Sequence, residues 1–583
     1  MRRLRVGLAA ATSISLLAVV FPLTSTAGTT AAAPDLSKYT GQKLTWGQCT
    51  FEAEVPVQCA QLTVPRDWAA PDAGKDLKVS VSRVSATGAK DDYQGVVLTN
   101  PGGPGGQGTG LAAGLAKLQP TLNAQYDVLG MDPRGTGQEG AAGQAGLGIT
   151  CQVPSGRVPE GPQDARDRSA KSIADHQQIP KAIAEACQSV AEAPYITTWQ
   201  TAHDMDLLRQ LLKAPKLNYL GYSYGTWLGA KYASLFPATT GRMVLDSSVD
   251  FQGRLQADFE DFARMGQRQS EKLYLPWLNR NLPEVFGTTP AQAAAAIEKG
   301  RDKGAVQGLD PDTYDSLLIG NGSAIGWILN ALVLSVVIEG DQAGQKKLAA
   351  LPAGLRSLAD TVSRQRLGVP VAKLTTAAVV RANLGQDTPD YQQVPITRFA
   401  VACGDQVTKS TQWYKALSDV QGPKYPLFGW QYGLSEVCGP WSDAPQQTLP
   451  ELPKSVRGNV LVVQGEFDPQ TSYEQAMNAV RKAPGVDVLR VDDAAFHGQY
   501  GLEGNPCVDG VVNTYFLYGS KSGNSLCPSV PLPGESKVYP VRGPVDKYLG
   551  THRAGRAGAL KSVDNPLRLE LSDQISAVNQ PIR

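Results

Sequence analysis

Histidine is scarce in this chain, with four residues among 583, and no two cysteines form a Cys-x-x-Cys pair. Little is left from which to build a zinc site, and nothing in the sequence requires a metal or another cofactor. Neither sign of charge is in excess: 55 Lys and Arg stand against 54 Asp and Glu, for a formal charge of +1. That balance argues against a nucleic-acid partner and against an anionic membrane surface. The phosphate-binding pattern Gly-x-x-x-x-Gly-Lys-Ser/Thr is absent. The glycine-rich stretch Asn100 to Gly106 meets no lysine before Lys117, so it does not read as a phosphate cradle. Long apolar runs are also missing from the body of the chain. The most apolar, Ser323 to Ile338, has 16 residues with Asn330 inside. It is too short and too polar to span a membrane, and a buried lid helix is expected there. No repeat or coiled-coil heptad is visible.

The N-terminus reads as a secretory leader over residues 1–27. Arg2, Arg3 and Arg5 are its basic start, Val6 to Leu23 its apolar or small stretch, and Ser25-Thr26-Ala27 its small-residue cleavage site. Ala31-Ala32-Ala33 offers a second site, which would place cleavage as late as 33. A membrane anchor is the rival reading, weakened by Thr12, Ser13 and Ser15. The expected location is extracellular, with no stable membrane association. All eight cysteines lie beyond the leader. An even number in an oxidising compartment predicts disulfides. Sequential pairing is the simplest connectivity: Cys49 with Cys59, Cys151 with Cys187, Cys403 with Cys438, and Cys507 with Cys527.

Apolar runs at Cys59–Val64, Leu77–Val84, Gly95–Thr99, Tyr126–Met131, Leu217–Tyr222, Arg242–Asp246, Gly458–Val463 and Asp487–Val491 read as strands. Helix-compatible stretches such as Ala202–Leu212 and Trp227–Phe236 alternate with them. That rhythm predicts an α/β fold with a mostly parallel sheet. It breaks between Asp250 and about Ala400, where amphipathic helices are expected at Asp258–Leu273 and Ala291–Lys299. The expected organisation is therefore a sheet core over 40–250, an inserted helical cap over 251–400, and a return to the core over 401–540. Residues 541–583 form an extension with no assigned role.

The centre of this arrangement is Leu217 to Thr226, a strand that runs into Gly221-Tyr222-Ser223-Tyr224-Gly225 and then a helix. Gly-x-Ser-x-Gly in that setting is the nucleophile elbow of the α/β-hydrolase fold. The elbow needs Gly221 and Gly225, because side chains there would collide with neighbouring strand and helix. A serine hydroxyl needs a base and an acid that orients the base, and in this fold they follow the serine as acid, then histidine. Only His497 and His552 follow Ser223. His497 lies just past a strand, where active-site loops emerge, and is the expected base. Asp468, in Gly465-Glu466-Phe467-Asp468-Pro469, is the expected acid. Glu466 is its local rival and Asp246 its distant one, and a helix N-cap is the structural alternative for Asp468.

A tetrahedral oxyanion needs two backbone N–H donors. Tyr224 supplies one, and the loop Asn100-Pro101-Gly102-Gly103-Pro104-Gly105 the other, through Gly103 or, as the alternative, Gly102. The run Asp132-Pro133-Arg134-Gly135-Thr136-Gly137 reads as a buttress, with Arg134 able to clamp the oxyanion loop.

Together these segments resemble those of the secreted bacterial tripeptidyl aminopeptidases, serine exopeptidases of the α/β-hydrolase fold related to the proline iminopeptidases. One departure is Pro101, where proline iminopeptidases carry the His of His-Gly-Gly-Pro-Gly. The resemblance implies release of tripeptides, in some relatives tetrapeptides and often after proline, from the free N-termini of peptides and proteins. It also implies carboxylates that bind the substrate ammonium, for which Glu260, Asp261, Asp405 and Glu436 are candidates. A secreted carboxylesterase or lipase would use the same triad, and a non-catalytic binding protein could use the same scaffold.

Overall fold

The computed structural model describes residues 34–71, 75–137, 148–319, 322–384, 391–520, 523–549 and 565–577. The leader and His552 lie outside these residues. From Leu36 onward the chain forms one compact unit. Its strands, in chain order, are β1 (Gln58–Pro65), β2 (Asp76–Val84), β3 (Gly95–Asn100), β4 (Tyr126–Met131), β5 (Thr150–Pro154), β6 (Leu217–Tyr222), β7 (Thr240–Asp246), β8 (Tyr391–Pro395), β9 (Val460–Gly465), β10 (Asp487–Asp492) and β11 (Ser525–Pro528).

Nine of them form one sheet in the order β1-β2-β4-β3-β6-β7-β9-β10-β11. The pairings β1–β2 and β2–β4 are antiparallel, and those from β4 through to β11 are parallel. This is the mostly parallel α/β-hydrolase sheet that the alternation predicts. Its central strands read as continuous apolar runs because both faces are covered. β6 and β9 are buried at every position. One face packs a cluster that includes Tyr219, Met243, Leu245, Val460 and Val462. The other packs Leu220, Val244, Leu461, Val463 and Leu489. That split follows from the two-residue side-chain period of a strand.

Helices fill the interval between β7 and β8, and a third cluster forms among them. At its centre is the helix Ala324–Glu339, capped by Ser323, whose side chain accepts the Gly326 N–H at 3.0 Å. Asn330 is buried inside it, and Trp327 packs edge-on to Phe496 at 5.0 Å between ring centroids. A helix apolar on all sides is stable only when surrounded, and helices Pro290–Val306, Asp341–Leu348 and Ala353–Leu367 pack against it. The stretch expected as one helix from Asp258 to Leu273 is divided instead into Gln256–Phe259, Phe262–Gln269 and a π-helical turn, Ser270–Tyr274. Elements that went unforeseen include the antiparallel pair β5–β8, the strand β11 and the helix Pro566–Ala577. Disulfides join Cys49 to Cys59, Cys151 to Cys187, Cys403 to Cys438, and Cys507 to Cys527. Among the described residues no helix is long and apolar enough to cross a membrane.

Candidate active site

Of the four non-glycine residues with positive φ among those described, three, Ser223 (57°), Ser247 (54°) and Asp493 (57°), each stand immediately after a parallel strand, namely β6, β7 and β10. Backbone strain of this kind gathers where a side chain must be aimed. Ser223 has ψ −128° and begins the helix Tyr224–Leu235. Its N–H donates to the Asp246 carbonyl at 3.1 Å, which pins the elbow to β7. A Cβ on Gly221 would lie 2.5 Å from the Gly225 carbonyl, and one on Gly225 would lie 2.8 Å from Asn100 Oδ1. Both glycines are therefore required by close approach.

The oxyanion loop lies directly against this turn. A Cβ on Gly102 would meet Ser223 Cβ at 2.8 Å and Tyr224 N at 3.1 Å. Gly102's own N–H donates to Asn100 Oδ1 at 2.9 Å. The Gly102 N–H is thus already engaged within the loop. Arg134 does not clamp the loop. It is fully buried and paired with Asp204 at 2.6 and 2.8 Å, and it also donates to the carbonyls of Pro65, Arg66 and Tyr195. The brace is Asp132, which accepts from Thr109 N and Thr109 Oγ1, both at 3.0 Å, and so fixes the helix Gly108–Leu118 that follows the loop.

Asp468 and His497 come together from the loops after β9 and β10. His497 Nδ1 lies 3.0 and 2.9 Å from the two carboxylate oxygens of Asp468, and both residues are fully buried. Asp468 also accepts the N–H groups of Gln470 at 2.8 Å and Thr471 at 3.0 Å, and the Thr471 hydroxyl at 3.0 Å. Burial alone would raise its carboxyl; the charge and hydrogen bond of His497, with those N–H donors, outweigh burial and hold it below the usual range.

The two rival acids face elsewhere. Glu466 accepts Asp493 N at 3.0 Å and Val545 N at 2.7 Å; burial and neighbouring Asp492 push its carboxyl up to about 8. Asp246 accepts Tyr500 N at 2.7 Å and Gln499 N at 3.1 Å. Burial, aided by the Asp468 charge, pushes it up to about 8. Ser247 Oγ accepts Gly498 N at 2.8 Å. Asp246 and Ser247 thus hold the loop that follows His497, a role the sequence did not reveal.

The four candidate anchors for a substrate amine separate in the structure. Asp405 accepts Thr198 N at 2.9 Å and Trp227 Nε1 at 3.1 Å, and burial pushes its carboxyl up to about 6. Asp261 pairs with Arg264. Glu260 pairs with Arg254 at 2.7 Å through Oε2, while its Oε1 is buried with no hydrogen-bond partner among the described residues. Glu436 accepts Cys438 N at 3.0 Å. Burial raises its carboxyl, the nearby charge of Glu260 adds to this, and Arg398 opposes it. A Cβ on Gly105 of the oxyanion loop would lie 3.7 Å from Arg398 N. The start of the helix that carries Arg398 therefore lies against the oxyanion loop.

Residues 95–316 match the family model described as alpha/beta hydrolase fold, and residues 425–527 match the one described as TAP-like protein. The chain is similar to the tripeptidyl aminopeptidase of Streptomyces lividans, with 29% identity over 499 residues that cover 81% of this chain and 84% of that one. It is similar to the serine protease Hip1 of Mycobacterium tuberculosis at 32% over 219 residues, 36% of this chain and 40% of that one. It is also similar to carboxylesterase B of Mycobacterium tuberculosis at 25% over 517 residues, 86% of this chain and 92% of that one.

Proposed function

We propose that this chain, which belongs to the α/β-hydrolases and is a serine hydrolase of the peptidase kind, is an exported exopeptidase that releases tripeptides from free N-termini. In this reading residues 1–27 direct export, 40–250 and 401–540 form the catalytic core, and 251–400 form the cap. Ser223 Oγ attacks the scissile carbonyl while His497 takes its proton. Asp468, holding Nδ1, fixes the imidazole so that Nε2 serves Ser223. The N–H groups of Gly103 and Tyr224 receive the oxyanion. His497 then protonates the leaving amine, the shortened protein departs, and water activated by His497 hydrolyses the acyl-enzyme to free the tripeptide.

The observation that favours an exopeptidase over a plain esterase is the acidic pair Glu260 and Glu436. The Oε1 of Glu260 is buried with no partner among the described residues, while Asp261 and Asp405 are taken up by Arg264 and by Thr198 and Trp227. A substrate ammonium would complete that pair. An ammonium–carboxylate contact that loses one partner forfeits about 3–5 kcal/mol when buried. An unblocked tripeptidyl amide should therefore be cut on the order of 10² times faster than its N-acetylated twin. Glu260→Gln and Glu436→Gln should collapse that ratio, whereas Asp261→Asn should leave it. The second reading, a carboxylesterase, is favoured by the similarity to carboxylesterase B along 86% of the chain. Equal rates on blocked and free peptides, with faster cleavage of simple acyl esters, would establish it instead.

A further inference from the structure

The helix Pro566–Ala577 lies in the extension for which the sequence suggested no role, and its Ser576 bonds to Gly322 and Gln470, which in turn bond to the base and to the acid. We propose that Ser576, acting with Gln470, is a positioning residue that fixes the acid loop and the base loop to one another; the proposal rests on the assignment of Asp468 and His497 made above.

Ser576 Oγ donates to the Gly322 carbonyl at 2.9 Å. The His497 N–H donates to that same carbonyl at 2.9 Å. The Ser576 carbonyl in turn accepts Gln470 Nε2 at 2.9 Å. Gln470 N donates to Asp468 Oδ1 at 2.8 Å, so its side chain and backbone join the helix to the acid. One residue is thus bonded through a single intermediate to each member of the pair. Ser576 is 2% exposed and Gln470 6%, so water does not compete for these bonds. Two further contacts hold the same helix in register. Asp573 accepts Ser323 Oγ at 2.7 Å and pairs with Arg366. The helix itself is held by burial of Leu569, Leu571 and Ile575, which does not involve the Ser576 hydroxyl. Folding and positioning are therefore separable by substitution. A displacement of about 1 Å at reacting groups is worth up to roughly 10² in rate.

The test compares Ser576→Ala, Ser576→Thr and Gln470→Met in the full chain. The readouts are kcat and KM on an unblocked tripeptidyl amide, the rate of labelling by an organophosphonate, the pH profile of kcat/KM, and thermal melting. Ser576→Ala and Gln470→Met should each lower kcat and labelling roughly ten- to a hundredfold with KM within about twofold, as expected for misaligned chemistry. The acid limb of kcat/KM, which reports the base in the free enzyme, should shift in both. Ser576→Thr keeps the hydroxyl and should restore the rate. The double variant should be no slower than the slower single, since both open one bridge. If Ser576→Ala does not fold, Gln470→Met carries the same expectations. Unchanged kcat and an unchanged acid limb, with only the melting temperature lowered, would overturn the proposal and leave the helix a structural element. A Ser223→Ala enzyme that still turns over would instead sink the triad assignment.

Discussion

Ser223 combines two demands in one residue, a hydroxyl aimed out of the sheet and a backbone at φ 57° that a side chain resists. Sparse backbone regions cost about 1–3 kcal/mol for a residue with a Cβ. Ser223→Ala keeps that strain and removes only the hydroxyl, so it should abolish turnover and organophosphonate labelling with little change in stability. Ser223→Gly should be equally dead yet melt above Ser223→Ala, because glycine adopts this backbone freely. A lower melting temperature for the glycine variant would show that the elbow is not strained. The acids give a second comparison. Asp468→Asn removes the carboxylate that orients His497, and turnover should fall on the order of 10⁴-fold, as in a related triad. Asp246, pushed up to about 8 by burial, is mostly protonated at neutral pH, so Asn imitates it. Asp246→Asn should stay within about tenfold of wild type, a ratio worth 1.4 kcal/mol. Reversed effects in a turnover assay would move the acid to β7.

Among the elements, those carrying Ser223, Asp468 and His497 were legible in the sequence because each couples a buried apolar strand to a turn that only certain residues permit. Val460 to Gly465 is apolar along its length because both sheet faces are covered, and it ends at Gly465. The elements that escaped notice lack such couplings. β11 has only four residues, and β5 and β8 meet from opposite sides of the elbow in sequence. The helix Pro566–Ala577 carries Leu567, Leu569 and Leu571 at spacing two, which reads as a strand. It is wedged between two clusters, with Leu569 in one and Leu571 and Ile575 in the other, so no single helical stripe was needed. The Ser576 and Gly322 contacts were hidden for a similar reason, since backbone carbonyls leave no mark on side-chain patterns.

A contact between elements also sets a pH dependence. His176, in the helix Ala170–Gln188, has Nε2 2.7 Å from Asp312 Oδ2, in the helix Pro311–Ile319, and Nδ1 2.7 Å from the Ser172 carbonyl. Both nitrogens face acceptors, which suits the imidazolium. Burial disfavours the charge, but the Asp312 and Ser172 hydrogen bonds and the charges of Asp312 and Asp164 outweigh it and raise the pKa above the usual 6.5. Stability from this contact is therefore full below about pH 6.5 and fades as pH rises through the raised value. Denaturant titrations of wild type and His176→Gln should differ most at acid pH and converge on the alkaline side. A difference that grows with pH would refute the imidazolium.

At the scale of the whole molecule, each of the four disulfides closes a short stretch of chain, and those of Cys151 with Cys187 and Cys403 with Cys438 are buried in the core. The bridged residues are 10, 36, 35 and 20 positions apart. In the chain-entropy picture each such loop is worth about 3–4 kcal/mol. Together they match a typical net stability of about 5–15 kcal/mol. The native protein should show no free thiol when denatured without reductant, and full reduction should lower its melting temperature by tens of degrees or abolish the transition. One bridge has a functional side as well. Cys438 gives its N–H to Glu436 at 3.0 Å, and its disulfide to Cys403 ties that segment to the helix Thr397–Gly404 that carries Arg398. Replacing Cys403 and Cys438 together by serine should loosen the acidic pair while leaving Ser223, Asp468 and His497 in place. KM for an unblocked tripeptidyl amide should then rise about tenfold or more, with kcat and the rate on a simple acyl ester nearly unchanged, the signature of lost uniform binding. Equal losses on the peptide and the ester would mean that this bridge supports the catalytic core, and would detach Glu436 from recognition of the substrate amine.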